Sequence, residues 1–462
     1  MGLKKTHLLA ILAIFLLMRL LSLGLYPLMD TTEARYGEMA RLMVETGNWL
    51  TPQFDYNVPF WGKPPLFTWM SALGIKLFGQ SEFALRFPHW LAGLVTIGLA
   101  MMFASYHRIS PLLTGIVLAT CGMFFISSGA VMTDMALTLS ITITILSFYL
   151  CWNGKKAWGY AGFVGLGIGL LAKGPVAIVL AAIAFYPFLA VQHGPFKAFV
   201  VFWKRFPVIT GTLLMLGISL PWYLMAEKAT PGFLDYFIIG EHWKRFTLPG
   251  WEGDLYGSAH DRPRGMIWLF GLFSALPWSL ILPMLLWKKW KSSTEKTISL
   301  PPLAYMLLFW LISPMVLFTF SGNILPTYVL PGLPALGLIC AGLLTQKDEK
   351  WFTIFCKVMP VVMLIGLVVV MFTAATTNSD KILFETADKS VPAFYIRKRP
   401  FSGQFYSNGK AIVLKNSEQL NELDSPYYLL GKKKDLDKFF EKNKVDCRIV
   451  AESPKRQRYL CE

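Results

Sequence analysis

Charged residues are scarce in this chain of 462 residues. Only 16% are Asp, Glu, Lys or Arg, whereas 54% are hydrophobic. A soluble domain carries about 25% charged residues, so this composition and the many long apolar runs exclude a large soluble protein and predict a polytopic membrane protein. We assign the formal charge of +16 to loops that set the membrane topology and expect no nucleic-acid partner.

Several motifs are also missing. The sequence has no Gly-rich loop that would cradle a nucleotide phosphate, no CxxC or His-rich spacing typical of a metal site, and no internal repeat of the kind found in transporters. We therefore expect no metal-ligand set, although the sequence leaves open whether a divalent ion assists.

About eleven apolar runs are candidates for membrane spans, which need about 20 residues each. They lie near 8–28, 84–105, 111–130, 133–151, 158–173, 175–191, 207–226, 266–287, 301–320, 327–345 and 353–374. We expect the first to be a retained span, because its apolar stretch is too long for a signal peptide and bulky residues follow it.

The loop charges indicate an orientation. If the N-terminus is cytoplasmic, the inside loops should be basic, and together with the N-terminus they hold 14 Lys or Arg against three acidic residues. The long loops on the other side are balanced, with four basic and six acidic residues in 29–82 and five and six in 227–265. We therefore predict that these two loops and the C-terminus face outside.

The tail from about residue 375 has a different composition, with many Lys, Asp, Glu and Asn residues. Strand-like runs occur at Ala411–Leu414, Tyr427–Leu430 and Arg448–Val450, and helix-like stretches at Ser417–Leu423 and Asp435–Lys442. We predict a membrane domain over 1–374 and a small soluble α/β domain over 375–462. Outside the cytoplasm, Cys447 and Cys461 could form a disulfide, with two free thiols as the alternative.

A dense polar segment, residues 30–65, follows the first span. Asp30 and Glu33 form a capping-box pattern, and the helical spacing of apolar residues up to Gly47, a typical C-terminal stop, predicts an amphipathic helix over 31–46 on the outer membrane surface. The two carboxylates could merely cap this helix. Capping does not explain the aromatic and proline-rich run that follows.

Lys63 ends that run, directly before two prolines and a predicted helix over 66–78. A lysine at a membrane interface often anchors to lipid, but beside carboxylates and a cavity it could bind a phosphate. More polar residues fall on the same outer face of the predicted bundle, namely Asp134, Lys173, His242, Arg245 and Tyr328. Ionisable groups at membrane depth are costly and tend to mark function, so we predict that these residues form one site.

The motifs resemble those of the polyprenyl-phosphate-dependent GT-C glycosyltransferases, a family that includes bacterial lipid A aminoarabinose transferases and protein O-mannosyltransferases. The matching segments cover residues 1 to about 340 in the family's order. They are Glu33-Ala34-Arg35-Tyr36, Gly47-Asn48-Trp49-Leu50, Lys63-Pro64-Pro65-Leu66, Thr133-Asp134-Met135, Lys173-Gly174-Pro175, His242 with Arg245-Phe246, Pro277-Trp278, and Leu325-Pro326 with Tyr328 and Pro331.

The resemblance implies an all-α, GT-C-like membrane domain with about 11 transmembrane helices and juxtamembrane helices, in a bacterial inner membrane. The active site and the C-terminal α/β domain would face the periplasm. A sugar on undecaprenyl phosphate would be the donor, and lipid A or another envelope glycan the acceptor; membrane lipids are further partners, and no cofactor beyond the lipid-linked sugar is implied. A protein O-mannosyltransferase-like enzyme is the alternative, and a lipid or sugar transporter or a scaffold is less favoured.

The resemblance also assigns roles. Lys63 would bind the carrier phosphate with help from Arg245. Asp30, Glu33 and Asp134 are the catalytic candidates, and Arg35, Tyr36, Lys63, Lys173, His242, Arg245 and Tyr328 would bind substrate. The chain departs from the family at two positions: Thr32 stands where an aspartate often precedes Glu33, and Gly62 stands where the aminoarabinose enzymes often have a glutamate. These departures leave open which carboxylate acts and which sugar is transferred.

Overall fold

A computed structural model describes residues 4–248, 250–257, 261–292, 300–414, 425–443 and 445–462. The first α-helices are α1 (Lys5–Ser22), α2 (Thr32–Thr46), α3 (Leu66–Phe78), α4 (Glu82–Tyr106), α5 (Pro111–Ala119), α6 (Gly122–Ser127), α7 (Thr133–Trp152), α8 (Trp158–Lys173), α9 (Val176–His193), α10 (Pro195–Arg205), α11 (Val208–Ala229), α12 (Phe233–Asp235) and α13 (Arg245–Thr247). They are followed by α14 (Met266–Ser274), α15 (Trp278–Ser292), α16 (Pro302–Phe318), α17 (Leu333–Leu343), α18 (Glu349–Val369) and α19 (Ala375–Thr377). Short π and 3-10 helices cover Tyr236–Lys244, Pro326–Gly332, Gln346–Asp348 and Val370–Ala374, and a hairpin is formed by β1 (Gln53–Asp55) and β2 (Val58–Pro59).

The protein is a multi-pass membrane protein with fewer long spans than predicted. Within the described ranges, seven helical stretches are long and apolar enough to cross a membrane, and α14 with α15 forms an eighth candidate bent by 86°. The other predicted runs are helical but short or broken. The run at 111–130 divides into α5 and α6 because Cys121 adopts an extended conformation, and α8 and α16 have 16 and 17 residues.

Helices α7 and α8 form the centre of the bundle and bring two predicted site residues together. Glycines let the helices approach closely: a Cβ atom at Gly165 would lie 2.5 Å from the hydroxyl oxygen of Thr144. The short connection makes the two helices antiparallel, so the first turn of α7 adjoins the last turn of α8. Asp134 and Lys173 therefore meet at one end of the bundle, here called the cavity end.

The C-terminal part is the predicted α/β domain. It contains α20 (Lys381–Glu385), β3 (Ala393–Ile396), α21 (Phe401–Tyr406), β4 (Ile412–Leu414), β5 (Tyr427–Gly431), α22 (Lys433–Lys442), β6 (Cys447–Glu452) and β7 (Gln457–Cys461). The strand order is β4-β3-β5-β7-β6; β4, β3 and β5 are parallel, and β7 is antiparallel to its neighbours β5 and β6. The predicted disulfide between Cys447 and Cys461 is confirmed. The helix predicted over 417–423 lies outside the described residues.

The predicted amphipathic helix is observed as α2, and it ends at Gly47 in the left-handed conformation (φ 69°). The predicted capping box is wrong, because no side chain caps the start of α2; Asp30 and Glu33 bond to other partners, described below. The helix is also not free on a membrane surface. Its polar residues Glu38 and Arg41 form a buried ion pair (2.7 Å), since α21 packs against α2.

Helix α21 therefore docks the C-terminal domain onto the segment around α2. Phe405 joins a hydrophobic core formed mainly by residues 28–85. The hydroxyl of Tyr406 donates to a carboxylate oxygen of Glu82 (2.8 Å) and accepts from the backbone N–H of Leu28 (2.8 Å). Gln404 donates to Asp55 in the β1–β2 hairpin (3.0 Å). These contacts fix the domain over the cavity end.

We expect Tyr406→Phe to weaken this docking. The substitution removes the hydroxyl and leaves the buried N–H of Leu28 without its acceptor, which costs about 1–3 kcal/mol. Thermal unfolding of the purified chain in detergent, combined with limited proteolysis, measures the loss. Tyr459→Phe is the matched control, because the Tyr459 hydroxyl has no hydrogen-bond partner among the described residues; equal stability of the two variants would contradict the docking role.

Candidate active site

A cavity of about 980 Å³ lies at the cavity end, between the membrane domain and the C-terminal domain. Nine basic and six acidic side chains line it among the described residues. From the membrane domain these are Asp30, Arg35, Asp55, Lys63, Asp134, Lys173, Glu241, Arg245 and Asp254; from the C-terminal domain they are Arg397, Lys398, Arg399, Lys432, Asp435 and Arg456. The cavity is therefore cationic, which suits an anionic ligand.

Glu241 joins the two cations predicted to bind the carrier phosphate. Its two carboxylate oxygens accept from Lys63 Nζ and from Arg245 Nη1, each at 2.7 Å. Burial alone would favour the neutral acid, but the charges of Lys63 and Arg245 outweigh it and lower the pKa of Glu241 to about 2. Asp254 forms an ion pair with the same Arg245 nitrogen at 3.1 Å. Lys63 and Arg245 thus lie within one charged network although 182 positions of the sequence separate them.

Asp134 and Lys173 form a second ion pair in the same cavity, with 2.7 Å between Oδ1 and Nζ. The ammonium of Lys173 also lies 4.1 Å from the ring centroid of Tyr328, a cation–π contact. His242 is beside this pair rather than in the main cavity. Its two ring nitrogens lie 2.8 Å from the carbonyl oxygen of Phe237 and 3.2 Å from that of Lys173, so it fixes the turn after α8.

Only glycine fits at position 174 of that turn. Its φ of 82° is in the left-handed region, which a residue with a side chain rarely adopts. A Cβ atom there would lie 2.6 Å from the ring of Phe237 and 3.0 Å from Nε2 of His242. The predicted Lys-Gly-Pro motif therefore brings the end of α8 against the loop that carries Glu241.

Arg35 and Tyr36 line the cavity from α2. One guanidinium nitrogen of Arg35 donates to the carbonyl oxygen of Tyr256 (2.7 Å), and the guanidinium lies over the rings of Tyr36, Phe60 and Phe401 at 5.1–6.0 Å. Arg35 has no carboxylate partner within the described part of the chain. Its charge is therefore available to a ligand.

Asp30 and Glu33, two of the predicted catalytic carboxylates, lie in different environments. Asp30 lines the cavity, where it accepts from the backbone N–H of Ser402 (3.0 Å) and from the Ser402 hydroxyl. Burial outweighs these bonds and raises the pKa of Asp30. Glu33 does not line the cavity; it accepts two hydrogen bonds of 2.8 Å from Arg86 on α4. Burial opposes its charge, yet Arg86 lowers the pKa of Glu33, and the catalytic role of Glu33 stays a prediction.

Sequence reasoning missed Glu241, Asp254 and Asp55 as site residues, and it missed the whole contribution of the C-terminal domain. One signal could have identified Glu241: it stands four residues before Arg245, a spacing that places both residues on the same helical face. No comparable signal marks the C-terminal residues. In the residues that the structure describes, no group of three His, Cys, Asp or Glu side chains could hold a metal ion.

The chain, as distinct from its site, is similar to known proteins. The family model described as dolichyl-phosphate-mannose-protein mannosyltransferase matches residues 5–237. An undecaprenyl phosphate-alpha-4-amino-4-deoxy-L-arabinose arabinosyl transferase of Enterobacter sp. (strain 638) is 30% identical over 371 residues, which are 76% of this chain and 64% of the relative. The transferase of the same description from Yersinia pestis (strain Pestoides F) is 31% identical over 351 residues, or 73% of this chain and 59% of the relative. The match thus spans about three fifths of the relatives' length.

Solved structures share the fold over nearly the whole chain. The crystal structure of ArnT from Cupriavidus metallidurans bound to undecaprenyl phosphate superposes with a TM-score of 0.77 at 20% identity, covering 99% of this chain and 98% of that one. The apo structure of the same protein gives a TM-score of 0.76 at 20% identity and equal coverage. The GT-C-like fold predicted from the sequence is confirmed, including its C-terminal domain.

We expect the Glu241→Gln substitution to destabilise the protein in a pH-dependent way. The pKa of Glu241 falls from 4.5 to about 2 on folding, which corresponds to about 3 kcal/mol of stabilisation. Because the folded-state pKa is the lower one, this stabilisation is complete above pH 4.5 and is lost as the pH falls towards 2.

Thermal unfolding of both proteins between pH 7 and pH 3 measures this effect. The melting temperature of the variant should lie below that of the wild type by a constant amount down to about pH 5, and the difference should shrink at lower pH. Glu252→Gln is the control, since Glu252 is an exposed acid of the same loop. Equal stability of the Glu241→Gln variant and the wild type at pH 7 would contradict a stabilising interaction of the Glu241 charge with Lys63 and Arg245.

Proposed function

The chain belongs to the dolichyl-phosphate-mannose-protein mannosyltransferase family, and from this membership we propose that it is a glycosyltransferase with a lipid-linked donor. It transfers a sugar from undecaprenyl phosphate to an acceptor at the periplasmic face of a bacterial inner membrane. The acceptor is lipid A or another envelope glycan. One observation carries the proposal: Lys63 and Arg245, which come from distant segments, converge on one carboxylate inside a cavity that also holds Asp134 and Lys173.

The Lys63–Arg245 pair is suited to the carrier phosphate. Both side chains are partly exposed to the cavity (18% and 17%), whereas Glu241 between them is 2% exposed. The carboxylate therefore holds the two cations in place from behind, and their remaining donor hydrogens are free for phosphate oxygens. Cations that are fixed before the reaction stabilise the charge that develops on the leaving phosphate.

The transfer is a substitution at the anomeric carbon of the sugar. The bond between the sugar's anomeric carbon and the phosphate oxygen breaks, the bonding electrons leave with the lipid phosphate, and an acceptor oxygen bonds to the anomeric carbon. A hydroxyl acceptor must also lose a proton, which a cavity carboxylate such as Asp134 or Asp30 can accept. An acceptor phosphate is already an anion, and the carboxylate then orients it or stabilises positive charge on the sugar.

The relatives support the choice of substrates. Two of them are described as undecaprenyl phosphate-aminoarabinose transferases, and a structure with this fold contains undecaprenyl phosphate. The orientation follows from the loop charges, which are basic on one side of the predicted membrane and balanced at the cavity end. The side whose loop charges are balanced, which is the cavity end, then faces the periplasm.

We expect Lys63→Ala and Asp134→Ala to lower sugar transfer by about a hundredfold or more, as loss of a preorganised charge does in other enzymes. The assay uses the full chain in proteoliposomes with a lipid-linked sugar and lipid A, and mass spectrometry of the product. Lys244→Ala is the matched control, because Lys244 neighbours Arg245 but is exposed and does not line the cavity.

The same variants must be shown to insert and fold, by expression level and thermal unfolding. Full transfer activity in both Lys63→Ala and Asp134→Ala would contradict the proposal. Mass spectrometry of lipid A, surface glycans and secreted proteins from cells with and without the gene identifies the acceptor. A modified protein hydroxyl in place of a glycan would favour the protein O-mannosyltransferase alternative.

A further inference from the structure

Acidic residues are almost absent from the middle of the chain. Between Glu82 and Glu227 the only one is Asp134, which lies at the cavity end. The same stretch holds eight basic residues, Arg86, Arg108, Lys155, Lys156, Lys173, Lys197, Lys204 and Arg205. Helices α7 and α9 both begin at the cavity end, so the connection 153–157 and helix α10, which follow them, lie at the opposite end of the bundle, here called the basic end. These two segments carry five of the eight basic residues.

Helix α10 presents an exposed apolar face. It connects α9 and α11, which are both long and apolar enough to span a membrane, so it lies at the boundary between membrane and water. Phe196, Phe199, Val200 and Trp203 recur at the spacing of one helical face, and 52–87% of each is exposed. Ala198, on the other side of the helix, is buried. A surface helix of this kind lies in the plane of the bilayer, with its apolar face among the acyl chains and its cations at the headgroups.

The end of α10 adjoins the connection 153–157. The sulfur of Cys151 lies 3.7 Å from the carbonyl oxygen of Lys156 and 3.5 Å from that of Arg205. Their sequence neighbours Lys155 and Lys204 are exposed, as are Lys156 and Arg205 themselves. Two pairs of cations from separate segments therefore form one patch.

The four charges of this patch are not neutralised by the described residues. None of the four side chains has a carboxylate partner there. The ammonium of Lys155 lies 4.3 Å from the ring centroid of Tyr106, and the guanidinium of Arg205 donates to the carbonyl oxygen of Trp152 at 3.2 Å, so two of the cations are held in place. Like charges that are held together repel one another, and an anion bound between them relieves this repulsion.

We infer that the basic end binds the headgroup of an acidic phospholipid with two phosphodiester groups, whose acyl chains lie along the apolar face of α10. Each phosphodiester carries one negative charge, so this headgroup brings two charges to two pairs of cations. Basic pockets between transmembrane helices bind lipids of this class. A water-soluble anion would match the charges but would leave the aromatic face of α10 uncovered, and we therefore assign a lipid. The inference uses no residue of the cavity and does not depend on the proposed function.

The test is a titration of the purified full chain, in a neutral detergent, with cardiolipin, followed by native mass spectrometry. The double variant Lys156→Ala/Lys204→Ala removes one cation from each pair and should bind cardiolipin about tenfold more weakly than the wild type, or weaker still. Neither side chain has a hydrogen-bond or ion-pair partner among the described residues, so without lipid the variant should melt at the temperature of the wild type. Lys156→Arg/Lys204→Arg should retain binding.

The matched control is Lys347→Ala/Lys350→Ala. Both lysines are exposed and lie at the junction of α17 and α18, where Asp348 and Glu349 stand between them in sequence. Helix α17 leads away from Tyr328 at the cavity end, so this junction is also at the end of the bundle opposite the cavity. The control loses the same charge as the alanine double variant and should bind cardiolipin as the wild type does. An equal loss of affinity in the two variants would indicate general attraction to acidic lipid and would overturn the inference.

Further ligands distinguish a lipid site from a simple anion site. Phosphatidylglycerol, which has a single phosphodiester, should bind more weakly than cardiolipin to the wild type. The deacylated, water-soluble headgroup of cardiolipin should compete only at concentrations far above those of the lipid. Saturating cardiolipin should also raise the melting temperature of the wild type more than that of the alanine double variant.

Three results would overturn the inference. The first is equal affinity of the wild type and the alanine double variant for cardiolipin. The second is equal affinity of the wild type for cardiolipin and for its deacylated headgroup, which would indicate a phosphate site without a lipid. The third is displacement of cardiolipin by an acidic peptide such as hexaglutamate at the same concentration, which would indicate a surface for protein docking.

Discussion

The cavity end of this protein depends on the ion pairs that Glu241 makes with Lys63 and Arg245. A single charge removed from water costs several kcal/mol unless a partner compensates it, and here each group compensates another. Lys63 lies in a loop that is far in sequence from the segment holding Glu241 and Arg245, so the attraction between these residues fixes the relative positions of the two segments. Asn323 extends the network, because its side-chain amide donates to the carbonyl oxygen of Arg245 at 2.6 Å and so attaches the turn before Tyr328.

The helix bundle provides the second constraint. Small residues on α8 allow it to lie against α7, and this close packing sets Asp134 opposite Lys173. The left-handed Gly174 next to Phe237 then brings the end of α8 against the segment that carries Glu241, so the two groups of ion pairs adjoin. The C-terminal domain closes the remaining side through α21, whose aromatic residues belong to the core around α2.

The site residues that could be predicted from the sequence are polar residues whose sequence neighbours are apolar or aromatic. Lys63, Asp134 and Lys173 are polar groups in apolar or aromatic sequence, and all three line the cavity. This sequence signal is lost where charged residues are abundant. Glu241 stands in a loop with balanced charges, and Lys398 and Lys432 stand in a tail rich in lysine. The sequence also cannot show that Asp30 meets Ser402, because that contact joins residues more than 370 positions apart.

The fold, too, was only partly predictable from the sequence. Apolar runs predicted the long helices of the membrane domain, but they did not mark α10 or the helices within 233–247, and hydropathy does not register the break at Cys121. The hairpin strands β1 and β2 were not predicted, and two strands of the C-terminal domain were missed as well. β3 is four residues long and is followed by three basic residues, and β7 contains Arg458, whose buried guanidinium donates to the carbonyl oxygen of Leu383 (2.6 Å). The C-terminal sheet has hydrophobic cores of its own, and most of its charged cavity-lining residues lie on loops beyond those cores. Evolution can therefore alter these loops one residue at a time without unfolding either half of the molecule, whereas a change at Glu241 disturbs its own segment and the loop of Lys63 at once. The two walls of the cavity should consequently diverge at different rates among descendants of this chain.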